Sequence, residues 1–105
     1  TIHFDTHADT GADVAGVVNS HGTPFHRGVV AGVLRGGHVF QIGLRGAWPG
    51  PAEFAWMREQ GYRWRTMDEC LDRGIDAVVA EAIAHARAVA PRVYLTVDID
   101  VLDPA

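Results

Sequence analysis

Hydrophobic positions along this chain switch repeatedly between a period of two and a period near 3.6, and each switch marks an element. Ile2 and Phe4 alternate with polar neighbours and then give way to Asp, Thr, His and Gly, which predicts a short strand over 1–5 entering a loop over about 6–24. Phe25, Val29, Val30, Val33 and Leu34 fall at helical spacing, so a helix follows, weakened at Gly28 and Gly32 by about 1 kcal/mol each relative to alanine. His38–Leu44 reads as a buried strand, with Arg45–Gly50 as the loop after it. Pro51 suits the first turn of a helix that carries Phe54, Ala55 and Met57 and closes at Gly61. Tyr62–Thr66 alternates as a strand, and Thr66-Met67-Asp68-Glu69 has the form of a capping box opening the next helical segment. In the clearest helix, Ile75, Val78, Val79, Ala82, Ile83, Ala86 and Val89 share one face until Pro91 stops it. Val93–Val97 is a β-prone run that meets acids at Asp98 and Asp100.

Strands alternating with helices predict parallel βαβ units, hence an α/β fold whose sheet is covered by helices on both faces. No domain boundary interrupts the pattern, and 105 residues, 48% of them hydrophobic, suffice for one core. Nine arginines, no lysine, thirteen acids and six histidines give a net charge of -4, which without a basic cluster argues against a nucleic-acid partner. No run approaches the ~20 apolar residues of a membrane span, and no secretory signal is visible. Cys70, the one cysteine, cannot close an intramolecular disulfide, so the expected setting is reducing and cytoplasmic. The sequence begins without Met and ends within Leu102-Asp103-Pro104-Ala105, so the expectation is an internal fragment of a longer protein.

In open parallel sheets ligands bind at the carboxyl ends of strands, and here two strands end in acid clusters, Asp5-Thr6-His7-Ala8-Asp9 and Asp98-Ile99-Asp100. If both segments stay extended, Asp5, His7 and Asp9 point one way and Asp98 and Asp100 do likewise, so four carboxylates and an imidazole face one small space. Such a group repels itself and resists desolvation unless cations fill it. Two divalent ions balance four carboxylates, and oxygen donors with an imidazole suit Mn²⁺ better than a thiolate zinc site. Two metals roughly 3.5–4 Å apart can hold and activate a water, which makes a binuclear hydrolase the expected class. Either cluster alone is more often turn or capping chemistry; the coincidence of two carries the reading.

The segment His3-Phe4-Asp5-Thr6-His7-Ala8-Asp9 is similar to the Asp-Ala-His-x-Asp signature of the ureohydrolases, the family of arginases and agmatinases. Thr96-Val97-Asp98-Ile99-Asp100-Val101-Leu102-Asp103-Pro104-Ala105 is similar to that family's Ser-x-Asp-x-Asp-x-x-Asp-Pro-Ala signature. Between them, Ser20–Phe25 and Gln41–Gly46 resemble agmatinase segments. The resemblance spans 1–105 and implies the central part of a single ureohydrolase domain with an arginase-like fold. It implies two Mn²⁺ ions bridged by Asp5 and Asp98, with Asp9 completing one shell and His7 and Asp100 the other, and Asp103 and Pro104 as support. A Gly-Gly-Asp-His segment and a later Glu, which the family uses for metal and guanidinium, are not in this chain. Thr6 stands where Ala is usual, a change expected to be tolerated.

The resemblance also implies the reaction, hydrolysis of a guanidino group to urea and an amine, with Asp9 orienting the nucleophile and His21 shuttling a proton to the leaving amine. Arginases tend to carry Ser-x-Asn-x-His-Gly; here Asn19 and His21 remain as substrate-binding candidates, but Val17 replaces the hydroxyl. That favours agmatine, giving putrescine, over arginine, with guanidinobutyrate or another guanidino acid as the alternative. Trp48 and Arg45 follow a strand end and are candidates for the pocket wall, and Trp56 and Trp64 for the core or a protomer contact in an expected homo-oligomer. His3 reads as structural, Glu81 and His85 as a solvated surface pair, His26 and His38 as without visible partners, and Cys70 as inert. Two rivals stand beside this reading. A dimetal phosphoesterase would need Gly-Asp and Gly-Asn-His segments, which are absent here, and a fragment with only part of the metal site would be catalytically incompetent.

Overall fold

In the computed structural model, residues 1–103 are described. Pro104 and Ala105, including the support expected from Pro104, lie outside them. Among the described residues, β1 (Ile2–Phe4), β2 (Phe40–Leu44), β3 (Arg63–Thr66) and β4 (Leu95–Val97) form one parallel sheet in the order β3-β2-β1-β4. The connections carry α1 (Pro24–Val30), α2 (Pro51–Glu59), α3 (Met67–Arg73) and α4 (Ile75–Val89). The chain builds outward from β1 through β2 to β3 and then crosses to the other side of β1. The order therefore reverses between β1 and β4, and crevices for ligands in open α/β sheets lie at such reversals.

The pleat divides the strand residues between two cores. Ile2, Phe40 and Ile42 face α3 and α4 and pack with Cys70, Val78, Ala82 and Ala86. On the opposite face Val39, Leu44, Met57 and Tyr62 pack with Phe25, Val29, Phe54, Trp56 and Trp64 from the α1 and α2 side. Strict alternation would leave Leu44 on the same face as Ile42. The register shifts between them, at Gly43 with φ +103°, and this bulge sends Leu44 to the other core. A Cβ at Gly43 would also come within 2.8 Å of Val101, so glycine is required by both backbone and space.

The first helix is shorter than its apolar pattern. It ends at Val30 because Gly32 turns to φ +74° and the amides of Val33 and Leu34 both return to the Gly28 carbonyl. Helix α2 starts at Pro51, with the Glu53 carboxylate accepting from the Gly50 amide, and α3 starts at the expected capping box of Thr66 and Glu69. In α4 only Val78, Ala82 and Ala86 are buried, while Ile75 and Ile83 are exposed. The expected cover on both faces holds for β1 and β2 but not for β4, where Leu95 and Val97 are exposed: α4 lies over β1 and β2 and no described element covers that edge. Among the described residues no helix is long and apolar enough to cross a membrane.

Candidate metal centre

Strands β1 and β4 pair in parallel with Phe4 opposite Val97, so Asp5 and Asp98 leave the sheet side by side. Both backbones are still held there, Asp5 by its amide on the Ile42 carbonyl and Asp98 by its amide on the Phe4 carbonyl. Beyond this point the extended continuation expected for the two acidic segments is not found. The His7 amide folds back onto Asp5 Oδ1 at 2.6 Å, and Asp9 adopts φ +54°, a left-handed conformation that Asp tolerates better than most residues. Asp98 accepts from the Asp100 amide at 3.0 Å and starts a 3₁₀ turn over Ile99–Val101. Short Asp side chains compete for local amides at strand ends, and the resulting turns, rather than alternation, aim the carboxylates inward.

The two segments are tied together across 94 residues of sequence. The Thr6 amide donates to Asp100 Oδ1 at 3.1 Å and the Thr6 hydroxyl to the Asp100 carbonyl at 2.6 Å. Arg45, a candidate for the pocket wall, instead braces this junction: its guanidinium donates to the carbonyls of Gly43, Asp100 and Val101 at 3.0–3.1 Å and lies 3.6 Å from Asp103.

Two groups of ligand-type atoms result, each within 4.8 Å: Asp5, His7 and Asp100, and His3, Asp5 and Asp9. Asp5 belongs to both. His7 Nδ1 lies 3.0 Å from Asp100 Oδ2 and 3.6 Å from Asp5 Oδ1. Asp98 shares a cavity of about 250 Å³ with His3, Asp5 and Asp9. Burial alone would raise the Asp5 carboxyl, but hydrogen bonds from His3 and the His7 amide outweigh it and hold Asp5 below the usual carboxylate range. Asp9 lacks that relief. Burial first, and the charge of Asp5 next, push its carboxyl up to about 6. The chemistry of the donor set, carboxylate oxygens with an imidazole, fits hard or borderline divalent cations such as Mn²⁺.

A second cavity of about 410 Å³ opens beside this cluster, lined by His7, Asp9, Asp13, Val14, His21 and Trp48 among others. The loop that bears it is pinned by Gly11 and Gly22, which bond to each other at 3.0 Å beneath the Trp48 ring. The Thr23 hydroxyl donates to the Ser20 carbonyl and accepts from the Ser20 amide, fixing the turn that presents His21. His21 and Trp48 thus stand beside Asp9, whereas Asn19 is exposed on the loop and is not part of the cavity lining. Asp13, which sequence reasoning passed over, lines the cavity while its Oδ1 accepts from the Gly16 amide at 2.8 Å.

Other candidates found different partners. Glu81 does not pair with His85: it binds Arg65 and Arg73, and His85 approaches the Gly37 carbonyl at 3.0 Å, because α4 packs beside α3 and against the turn before β2. His26 stacks on Trp56 with ring centres 4.4 Å apart, and the Cys70 thiol is buried, which pushes its pKa up.

The sequence model of the Arginase family matches residues 1–105. The chain is 42% identical over 106 residues to a guanidinopropionase of Pseudomonas aeruginosa, covering 99% of this chain and 32% of that protein. It is 38% identical over 106 residues to a mitochondrial agmatinase of Gallus gallus, covering 99% of this chain and 30% of that protein. The crystal structure of formimidoylglutamase from Bacillus subtilis superposes with a TM-score of 0.88 at 28% identity, over 97% of this chain and 32% of that one. The chain therefore spans about a third of the length of the relatives it matches. Together with the parallel sheet and the acid cluster at its reversal point, these matches show that the chain belongs to the arginase family.

Proposed function

We propose that this chain is the central part of a single ureohydrolase domain, and that the full-length protein hydrolyses a guanidino group to urea and an amine. The observation that carries the proposal is that Asp5 is common to two groups of ligand-type atoms, one with His7 and Asp100 and one with Asp9, and shares a cavity with Asp9 and Asp98. In this reading Asp5, Asp98, Asp9, His7 and Asp100 would together hold two Mn²⁺ ions, with Asp5 and Asp98 as the carboxylates shared between them. When bound, the ion pair supplies the Lewis acidity that makes water nucleophilic near neutrality.

The residues of this chain do the rest. A guanidinium is resonance-stabilised and cationic, and the carboxylates gathered at the ends of β1 and β4 attract it. Asp9 accepts a hydrogen bond from the attacking water and directs it to the guanidinium carbon. The tetrahedral intermediate expels an amine only if its nitrogen gains a proton, and His21, on the cavity wall with Asp9, holds that proton. Trp48 closes the cavity over the apolar part of the substrate.

For the substrate we favour agmatine, which yields putrescine. The residues lining the 410 Å³ cavity include Asp13 but no Arg or Lys, a surround that suits an ammonium tail and disfavours a carboxylate. Guanidino acids are the second reading, favoured by the 42% identity to a guanidinopropionase. Urea release by the Mn²⁺-loaded full-length protein from agmatine, 3-guanidinopropionate, 4-guanidinobutyrate and arginine decides between them. Agmatine should give the highest kcat/KM. Preference for an acid would replace the substrate assignment, and no urea from any of the four would overturn the proposed activity.

A further inference from the structure

We infer that His3 and Gln41 form a buried relay that positions the Asp5 carboxylate, and that His3 is not itself a cation ligand. The inference rests on the cation site proposed above. His3 and Gln41 are register partners in adjacent strands, 3% and 0% exposed, flanked along those strands by the apolar Ile2, Phe4, Phe40 and Ile42. Two polar side chains at the same level of a buried sheet cost desolvation, so their contacts decide what they are for.

The hydrogen positions follow from the heavy atoms. The Gln41 amide end lies 2.7 Å from the Ala8 carbonyl oxygen, which can only accept, so that end is Nε2. The same Nε2 lies 3.1 Å from His3 Nδ1, which must then accept as well. The ring hydrogen therefore sits on Nε2, 2.8 Å from Asp5 Oδ2, and His3 donates to the carboxylate. An Nε2 that carries hydrogen has no lone pair for a cation, and the Nδ1 lone pair is occupied by Gln41. His3 thus falls within 4.8 Å of Asp5 and Asp9 without being available as a ligand. The Phe25 ring packs against the imidazole, with centres 4.5 Å apart and planes tilted by 31°, and restricts its rotation. Among the described residues Gln41 Oε1 has no hydrogen-bond partner, a cost accepted in fixing Nε2 toward His3 and Ala8.

With Oδ2 held by His3 and Oδ1 by the His7 amide, the carboxylate common to both ligand groups has one orientation before any cation arrives. Partners of this kind typically change metal affinity by about 10- to 100-fold. The test has two arms. In the metal-free protein, two-bond ¹⁵N–¹H couplings should show His3 as the Nε2–H tautomer; an Nδ1–H tautomer overturns the relay whatever the variants do. In calorimetric Mn²⁺ titration, His3→Ala should weaken binding 10- to 100-fold, while His3→Gln, whose amide reaches the place of Nε2, should regain most of the loss. Equal affinity of wild type and His3→Ala overturns the relay and leaves the site standing. Absence of Mn²⁺ binding by the wild-type protein overturns both.

Discussion

Thr6 grips Asp100 twice, its amide on the carboxylate at 3.1 Å and its hydroxyl on the carbonyl at 2.6 Å, and so locks two acid-bearing turns to each other. The backbone contact survives any substitution at position 6, and Arg45 shares the Asp100 carbonyl, so the hydroxyl contributes orientation more than stability. For Thr6→Ala we expect a folded protein and a loss of about 0.5–1.5 kcal/mol, equivalent to a roughly 2- to 10-fold weaker Mn²⁺ affinity. Thr6→Ser should match wild type. Calorimetric titration of the three proteins checks this, and a Thr6→Ala affinity equal to wild type would make the hydroxyl contact incidental.

Asp98 stands in the crevice with Asp5 and Asp9 and also starts the turn that carries Asp100. Asp98→Asn keeps an acceptor for the Asp100 amide, so the turn should persist while one negative charge is lost. In the full-length protein we expect the manganese content of the purified protein and turnover to fall together, each by more than about tenfold, because one of the carboxylates proposed to hold the ions loses its charge. Unchanged manganese by atomic absorption would remove Asp98 from the metal shell.

The strands, three of the four helices and the acids at the ends of β1 and β4 were legible because their signals are local: strand-end acids, capping pairs and apolar periods lie within a few residues of each other. What was not legible depends on register between distant segments. Nothing near Gln41 in sequence indicates that parallel pairing sets it beside His3, 38 residues away. Arg45 shows itself as a brace only once the Asp98–Val101 turn lies against it. The apolar run through Leu34 suggested a longer helix than Pro24–Val30 because Leu34 is a core residue reached by a glycine turn, not by helical spacing. The extended geometry expected after β1 and β4 failed for a general reason: Asp carboxylates take nearby amides when strand pairing ends.

Glu81 gives the pH dependence a defined source. Burial would raise its carboxyl, but hydrogen bonds from Arg65 and Arg73 prevail and hold it below the ordinary value of 4.5. The group binds fewer protons folded than unfolded, so its contribution is complete above pH 4.5 and is lost as pH falls through the lower folded value. With these side chains 25–42% exposed, solvent screening limits the contribution to about 1 kcal/mol. Glu81→Gln should therefore be less stable by that amount at pH 7, and the difference from wild type should narrow as pH falls below 4.5. Urea denaturation between pH 3 and 7 reads both; a gap that stays constant with pH would assign the loss to packing.

His21 is held by a turn rather than by the acid cluster: its Nδ1 faces Ser20 Oγ at 3.2 Å, and the Thr23 hydroxyl fixes the backbone on either side of it. Because none of these contacts involves Asp5, His7, Asp9, Asp98 or Asp100, His21→Ala should leave Mn²⁺ affinity unchanged. A proton donor to the leaving amine is worth about 10²-fold or more in rate, so urea release by the full-length protein should fall by that factor in kcat. The loss should be smaller with imidazole added to the buffer, since a free imidazole can enter a cavity open to solvent and vacated by the side chain. Wild-type turnover across pH 6–9 would remove His21 from proton transfer. A fall in KM-dependent rate with kcat preserved would instead make it a contact for the substrate's tail.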